Sequence, residues 1–267
     1  MIMDLRFERG CVLPDTLLPA MQRGLDAVGQ PDTVIMVSND FDQTIRRLDH
    51  ASHMYTAERG SGVAAARTMM LGGPPTIILD HFSEGLAALH GVAAASLEEF
   101  RIELLMAQLG YPIAERANAG SLDEQLFELS FKVCTALTDP ACANPRVFAK
   151  TMIEAMQLMA TSLAYLAGAN TGGTHDFDES QLSAFGLGFW EDAIAPSWPD
   201  RLNLYGSIPS ADFHESPAIL AGLLNSAVEV ERNFSSDIGF TITEDEYQPG
   251  AWSFHRTGSD AVFDARI

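Results

Sequence analysis

Lysine is almost absent from this chain, and the sequence is strongly acidic. Only two of the 16 basic residues are lysines, Lys132 and Lys150, whereas aspartate and glutamate together number 36, so the formal net charge is −20. A surface of this sign repels the phosphates of nucleic acids. We therefore expect no nucleic-acid partner, and a mechanism based on lysine has few candidate residues.

Cysteines and long apolar runs are also scarce. The three cysteines, Cys11, Cys134 and Cys142, have neither the spacing of a metal site nor that of a redox pair, so we expect reduced, structural thiols. The longest apolar runs fall well short of the roughly 18 residues that a membrane span needs. The N-terminus carries charges where a signal peptide is apolar. The sequence predicts a cytoplasmic protein that does not associate with membranes.

The short motifs by which many enzymes are recognised are missing as well. The chain has no G-x-S-x-G elbow, no Walker loop, no G-x-G-x-x-G fingerprint and no H-E-x-x-H zinc motif. A Gly-Ser-Gly step at residues 60–62 lies in an alanine-rich segment, where close helix packing explains it better than phosphate binding does. Any function must therefore be argued from less specific patterns.

Hydrophobic periodicity predicts alternating strands and helices over the first 170 residues. The predicted helices are residues 15–28, 41–55, 58–71, 83–100, 121–137 and 145–166. The predicted strands are residues 33–40, 76–82 and, with some helical character, 101–109. This order indicates an α/β fold in which helices flank a mostly parallel sheet.

The composition changes near residue 170. Residues 171–267 contain all three tryptophans and no lysine, with 16 acidic residues against four arginines, and their hydrophobic periodicity is weak. We therefore predict two parts: an α/β domain over residues 1–170, and an irregular acidic extension over residues 171–267. The extension is expected to pack on the domain or on a partner subunit.

Three segments of the first part occur in an informative order. A strand ends in a polar step in "TVIMVSNDFDQTIRRL", and a glutamate opens the small-residue segment of "AERGSGVAAARTMMLGGPPTIILDHFSEGLAAL", where a Gly-Pro turn leads to a strand. The segment "SLEEFRIELLMAQLGYP" follows. Together they resemble the pyrimidine-binding domain of thiamine-diphosphate-dependent enzymes, and are most similar to the small-subunit type of sulfopyruvate and phosphonopyruvate decarboxylases. The resemblance covers about a third of the chain.

This resemblance implies roles for particular residues. Glu58 would be the catalytic carboxylate, which hydrogen-bonds a ring nitrogen of the cofactor's aminopyrimidine and favours the imino tautomer that removes the thiazolium proton. Asn39, Asp40, His81 and Ser83 would be its cofactor-binding neighbours. Each also has a structural interpretation: Glu58 as an acid at a helix start, Asn39 or Asp40 as helix N-caps.

The resemblance also implies a partner. In the family, a Gly-Asp-Gly…Asn motif holds Mg²⁺ and the diphosphate, and this chain does not contain it. The chain would therefore be one subunit of a lyase that decarboxylates a 2-oxo acid. A second subunit, or another arrangement within a homo-oligomer, would supply the diphosphate-binding half at a shared interface.

Two other interpretations of the sequence remain open. The chain could be a non-catalytic relative that keeps the α/β architecture and binds a partner through its acidic, tryptophan-bearing extension. Alternatively, it could be a metal-dependent enzyme, because His50 and His53 are three residues apart on a predicted helix, a spacing that can serve a metal.

Overall fold

A computed structural model describes residues 4–28, 34–38, 52–56, 84–111, 119–173, 177–208, 217–244 and 252–256. Of the interpretable residues, 77% are helical. The described strands form one three-stranded parallel sheet and one two-stranded antiparallel pair. A parallel sheet is thus present as expected, but it is small, and the broader α/β class is not established by the described residues.

The chain divides into two compact units. The first comprises Met1–Thr76, Leu105–Pro112 and Ser210–Glu215, and the second comprises Ile77–Leu104, Ile113–Pro209 and Ser216–Ile267. The boundary that the sequence predicts near residue 170 lies inside the second unit. We call the first the sheet unit and the second the helical unit.

The sheet unit contains three parallel strands in the order β1 (Asp4–Phe7), β2 (Val34–Ser38) and β3 (Ser52–Thr56). Helix α1 (Leu18–Ala27) follows β1 after a 3-10 turn. Its apolar face forms a core with the inward side chains of β2; the buried members are Leu13, Leu17, Met21, Leu25, Ile35 and Val37. The helical spacing of the first four and the alternation in β2 produce this packing, which confirms the predicted helix at 15–28 and the strand at 33–40.

The helix predicted over residues 41–55 is wrong at its end, because residues 52–56 form strand β3. Each of these five residues pairs in parallel register with β2, from Val34↔Ser52 to Ser38↔Thr56. Tyr55 and Thr56 belong to types that favour strands, and the ladder with β2 outweighs the weak helical period. The tertiary pairing is invisible in the local pattern.

The strand predicted over residues 101–109 is also wrong. These residues continue helix α2 (Glu84–Gln108), which starts near the predicted helix at 83–100 and runs on without a break. No glycine or proline occurs between Val92 and Leu109 to end it. The helix ends two residues before Gly110, whose φ of 73° favours glycine over residues with a side chain.

The helical unit is built around α3 (Ala119–Thr138) and α4 (Pro145–Thr171), both predicted from their apolar period. A 3-10 turn at Pro140–Ala143 separates them. Buried side chains of these two helices, among them Leu126, Val133, Met152 and Met159, belong to one large core.

The acidic extension is not irregular where it is described, so that expectation is wrong for these residues. It contains α5 (Ala184–Phe189), a π-helical turn (Trp190–Ile194), α6 (Trp198–Gly206), α7 (Pro217–Asp237) and the antiparallel strands β4 (Phe240–Glu244) and β5 (Trp252–Arg256). Phe189, Trp190 and Phe234 lie in the same core as α3 and α4. Large aromatic side chains anchor short helices there, which explains why the hydrophobic period is weak.

The last two expectations concern the cysteines and membrane spans. All three cysteines are free. Among the described residues, no helix combines the length and the hydropathy needed to cross a membrane.

Candidate functional site

The first candidate site is the carboxyl-terminal edge of the parallel sheet, where ligands gather in sheets of this kind. Ser38, at the end of β2, is fully buried, and its Oγ donates a hydrogen bond of 2.6 Å to Oε2 of Glu8. The backbone nitrogen of Glu8, which follows β1, donates to the carbonyl oxygen of Val37 at 3.0 Å. A half-buried carboxylate is therefore held at this edge by both a strand backbone and a hydroxyl.

The residues that the sequence predicts as site residues, Glu58, Asn39, Asp40, His81 and Ser83, lie outside the described residues. The same is true of the small-residue helix predicted at 58–71 and the strand predicted at 76–82.

The last residues of β2 and β3 are neighbours in the sheet. Ser38 and Thr56 are register partners on adjacent parallel strands, which lie about 4.8 Å apart, so the two strands end at the same edge. In the sequence, Asn39 directly follows Ser38, and Glu58 comes two residues after Thr56.

His81 and Ser83 have no such link. They precede α2 in the chain and fall within the range assigned to the helical unit. The described residues do not connect them with the sheet edge.

The donor set fits one half of thiamine diphosphate better than the other. The edge of the sheet carries a carboxylate and a hydroxyl. These groups suit an aminopyrimidine, which is recognised by hydrogen bonds to its ring nitrogens. In the described ranges, no three His, Cys, Asp or Glu side chains come together in a way that could hold a metal ion. Within the described residues, the groups present therefore suit the pyrimidine half better than the diphosphate half.

The alternative metal site at His50 and His53 stays a prediction, although the helix expected to carry it is not observed at His53. His53 lies in strand β3, not on a helix, and His50 lies outside the described residues. The i, i+3 spacing brings two side chains together on a helix but not on a strand.

A second polar group, which the sequence reasoning did not identify, is buried in the helical unit. Arg201 of α6 and Glu231 of α7 each expose 1% of their side chains. Nη2 of Arg201 donates to Oε2 of Glu231 at 3.1 Å, and Nη1 donates to Oε1. Burial lowers the pKa of Arg201, but the charge of Glu231, together with Tyr205 and the hydrogen bonds to both residues, raises that pKa above its usual value.

Aromatic rings close this pair off from solvent. The guanidinium of Arg201 lies 5.8 Å from the ring centroid of Phe234. Tyr205, one turn beyond Arg201, stacks on Phe100 of α2 with ring centroids 4.5 Å apart and planes 3° from parallel. Burial raises the pKa of Tyr205, and the charge of Arg201 only partly offsets that effect.

The fully enclosed ion pair is best explained as a structural connection between α6 and α7. Its two charges cancel, and its surroundings are rings and helix backbone. A sequence signal for it existed: Glu231 occupies the apolar stripe formed by Leu224, Val228 and Phe234 on α7. A charged residue on an otherwise apolar helix face predicts a buried partner of opposite charge.

Comparisons with known proteins identify no relative of this chain. No protein-family model matches it, and neither a curated protein nor a solved structure shows significant similarity to it.

Proposed function

We propose that the chain is a subunit of a thiamine-diphosphate-dependent lyase, of the 2-oxo acid decarboxylase type, and that Glu58 is its cofactor-activating carboxylate. One observation supports this most directly: β2 and β3 are parallel neighbours whose last residues, Ser38 and Thr56, are in register. Asn39 and Asp40 follow Ser38 in the sequence and Glu58 follows Thr56 by two residues, and this spacing supports the proposal.

In this proposal the chain's own residues bind and orient the aminopyrimidine. Glu58 holds a proton at a ring nitrogen, and Asn39 and Asp40 provide polar contacts beside it. The hydrogen bond between Ser38 and Glu8 fixes the end of β2 from which Asn39 follows. When bound, the cofactor supplies an electron sink for the bond to the leaving carboxylate.

A non-catalytic binding or assembly protein is the second candidate. The observation in its favour is helix α2, which runs to Gln108 where the family order requires a strand. The support for a thiamine enzyme is thus confined to the segments around β2 and β3.

The deciding experiment compares the native chain with Glu58→Gln. Each form carries an affinity tag, is expressed in the organism that the sequence comes from, and is purified together with the polypeptides that bind it. Each purified sample is then titrated with thiamine diphosphate and Mg²⁺ in a calorimeter. Deuterium exchange at the thiazolium C2 position, followed by NMR, reports on proton removal without any substrate. Glu124→Gln, an exposed acid on α3, is the matched control.

We expect Glu58→Gln to slow the exchange by about 10²–10⁴-fold, the usual contribution of a positioned acid or base, while Glu124→Gln leaves it unchanged. Exchange at the native rate in Glu58→Gln would remove the catalytic role. An absence of cofactor binding in every sample would favour the non-catalytic candidate.

A further inference from the structure

Three phenylalanines of the helical unit are strongly exposed. Phe127 and Phe131 on α3 expose 60% and 59% of their surface, and Phe185 on α5 exposes 41%. Phe127 and Phe131 are four residues apart and therefore share one helix face. The rings of Phe127 and Phe185 lie 5.7 Å apart, edge to face. We call these three residues the phenylalanine patch. Exposed apolar groups that cluster in this way mark interaction sites more often than single exposed residues do.

The patch is attached rigidly to the core beneath it. The ring of Phe185 stacks on that of Phe189 with ring centroids 6.3 Å apart, and Phe189 is buried with 1% exposure. Rings that are already fixed lose little conformational entropy when a partner covers them, so they are suited to act as binding anchors.

The start of α5 is fixed by a network of hydrogen bonds. Ser183 donates its backbone nitrogen and its Oγ to the two carboxylate oxygens of Asp123 on α3, at 2.8 and 3.0 Å. The backbone nitrogen of Gly186 then donates to Oγ of Ser183 at 3.0 Å. These bonds join α3 to α5 and hold the two halves of the patch side by side.

The surroundings of the patch are acidic. The segments that carry it, residues 119–138 and 177–194, contain seven acidic residues and one lysine. Glu124 and Glu128 lie three residues before Phe127 and Phe131 on the same helix, so they flank the two rings and form the acidic rim of the patch. The lysine is Lys132, whose Nζ lies 3.9 Å from Oε1 of Glu128, so the positive charge of Lys132 is partly neutralised. An apolar centre with a negative rim is complementary to an apolar surface with a positive rim.

A second copy of this chain fits that rim poorly. Each copy would bring the same acidic residues to the interface, on a protein whose net charge is already −20. Like charges that face each other across an interface oppose association.

We propose that the phenylalanine patch docks an amphipathic helix of a partner protein, whose apolar face covers the three rings while its lysines and arginines meet the acidic rim. Helices that dock in this way place apolar anchors at i, i+3, i+4 and i+7, and a few aromatic side chains carry most of the binding energy. This inference is independent of the role proposed for Glu58.

The test uses two synthetic helical peptides with the same leucine face, one with lysines and the other with glutamates on its polar face. Binding to the full chain is measured by fluorescence anisotropy at low and at physiological salt. The native chain is compared with the double variant Phe127→Ser/Phe131→Ser. The control is Phe7→Ser, which removes an equally exposed phenylalanine from the sheet unit.

We expect the lysine peptide to bind the native chain and Phe7→Ser saturably, and the double variant at least roughly tenfold more weakly. The glutamate peptide should not bind. If the double variant fails to fold by circular dichroism, Phe131→Ser alone carries the test, with a severalfold loss expected.

Three results would overturn the proposal. Equal binding of the lysine peptide to native and variant chains would show charge attraction without docking at the patch. No binding of either peptide would remove the site. A native dimer in sedimentation experiments that Phe127→Ser/Phe131→Ser dissociates would show that a second copy covers the rings.

Discussion

Two glutamates, one in each compact unit, are held in opposite ways. Glu231 in the helical unit is 1% exposed and meets a guanidinium, so its charge is cancelled and enclosed. Glu8 in the sheet unit is half-buried and meets the hydroxyl of Ser38 at the end of a strand. A buried charge that meets an opposite charge holds two helices together, whereas the bond between Glu8 and Ser38 joins the end of β2 to the residue that follows β1.

The same contrast applies to the surroundings of the two glutamates. The guanidinium of Arg201, which meets Glu231, lies over the ring of Phe234, and Tyr205 on the same helix as Arg201 stacks on Phe100. Near Glu8, the parallel strands β2 and β3 end in register at Ser38 and Thr56.

The largest effect in this comparison is expected for Glu231→Gln. It leaves the buried guanidinium of Arg201 without its counter-charge, which typically destabilises a protein by about 3–5 kcal/mol. Urea unfolding measures the loss. The control is Glu154→Gln, whose partner Lys150 is 78% exposed and whose loss should stay below about 1 kcal/mol.

The double variant Arg201→Met/Glu231→Leu sharpens this result. It removes both charges, so much of the stability lost in Glu231→Gln should return. If Glu231→Gln proves no more harmful than Glu154→Gln, the ion pair does not join α6 and α7, and a functional role for it has to be reconsidered.

The next effect is expected where two helices of the same unit come very close. A Cβ on Gly168 of α4 would lie 2.6 Å from Cβ of Glu103 and 3.0 Å from the carbonyl oxygen of Phe100, both on α2. Gly168→Ala must therefore move a helix, and we expect a loss of about 1–3 kcal/mol in the free energy of unfolding.

Gly222→Ala is the matched control for that substitution. Gly222 lies on the exposed side of α7, and an added Cβ meets nothing within 4 Å. Alanine there should stabilise the helix by up to about 1 kcal/mol. If both substitutions stabilise the protein, α2 and α4 do not approach each other as closely at Gly168 as the structure shows.

A smaller effect is expected in the sheet unit for Ser38→Ala. It removes the 2.6 Å bond to Glu8, and one such bond contributes about 0.5–1.5 kcal/mol. Ser226→Ala on the exposed face of α7 is the control, because its hydroxyl bonds only its own helix backbone at 3.2 Å. If the sheet edge is a binding site, Ser38→Ala should also weaken cofactor binding in calorimetry, while Ser226→Ala should not.

The sequence predicted those elements whose pattern is strong within a single segment. The long apolar periods of α3 and α4 and the β-branched run of β2 are local signals, and all three are confirmed. Strand β3 and the second half of α2 were assigned wrongly. Pairing with β2 makes residues 52–56 a strand, and the absence of any helix breaker lets α2 continue.

The ion pair and the phenylalanine patch could not be predicted from the sequence, because both are formed by tertiary structure. The pairing of Arg201 with Glu231 joins residues 30 apart in the chain, so no local spacing shows it. Phe127 and Phe131 have the i, i+4 spacing of core residues, and only the structure shows that they face outward. Glu58, Asn39, Asp40, His81 and Ser83 stay predictions, because they lie outside the described residues.

The smallest effect is expected at the end of α7, where the pKa of Asp237 is raised by burial. The folded protein binds this proton more tightly than the unfolded chain does, so the ionised carboxylate destabilises the fold. That destabilisation is full above the raised pKa and disappears as the pH falls below the ordinary value of 3.8. The negative charge also opposes the helix dipole at this end, an effect of about 0.3–1 kcal/mol. Asp237→Asn should therefore stabilise the protein slightly at neutral pH and not at pH 3. A gain that persists unchanged into acid would show that the side chain acts through something other than its charge.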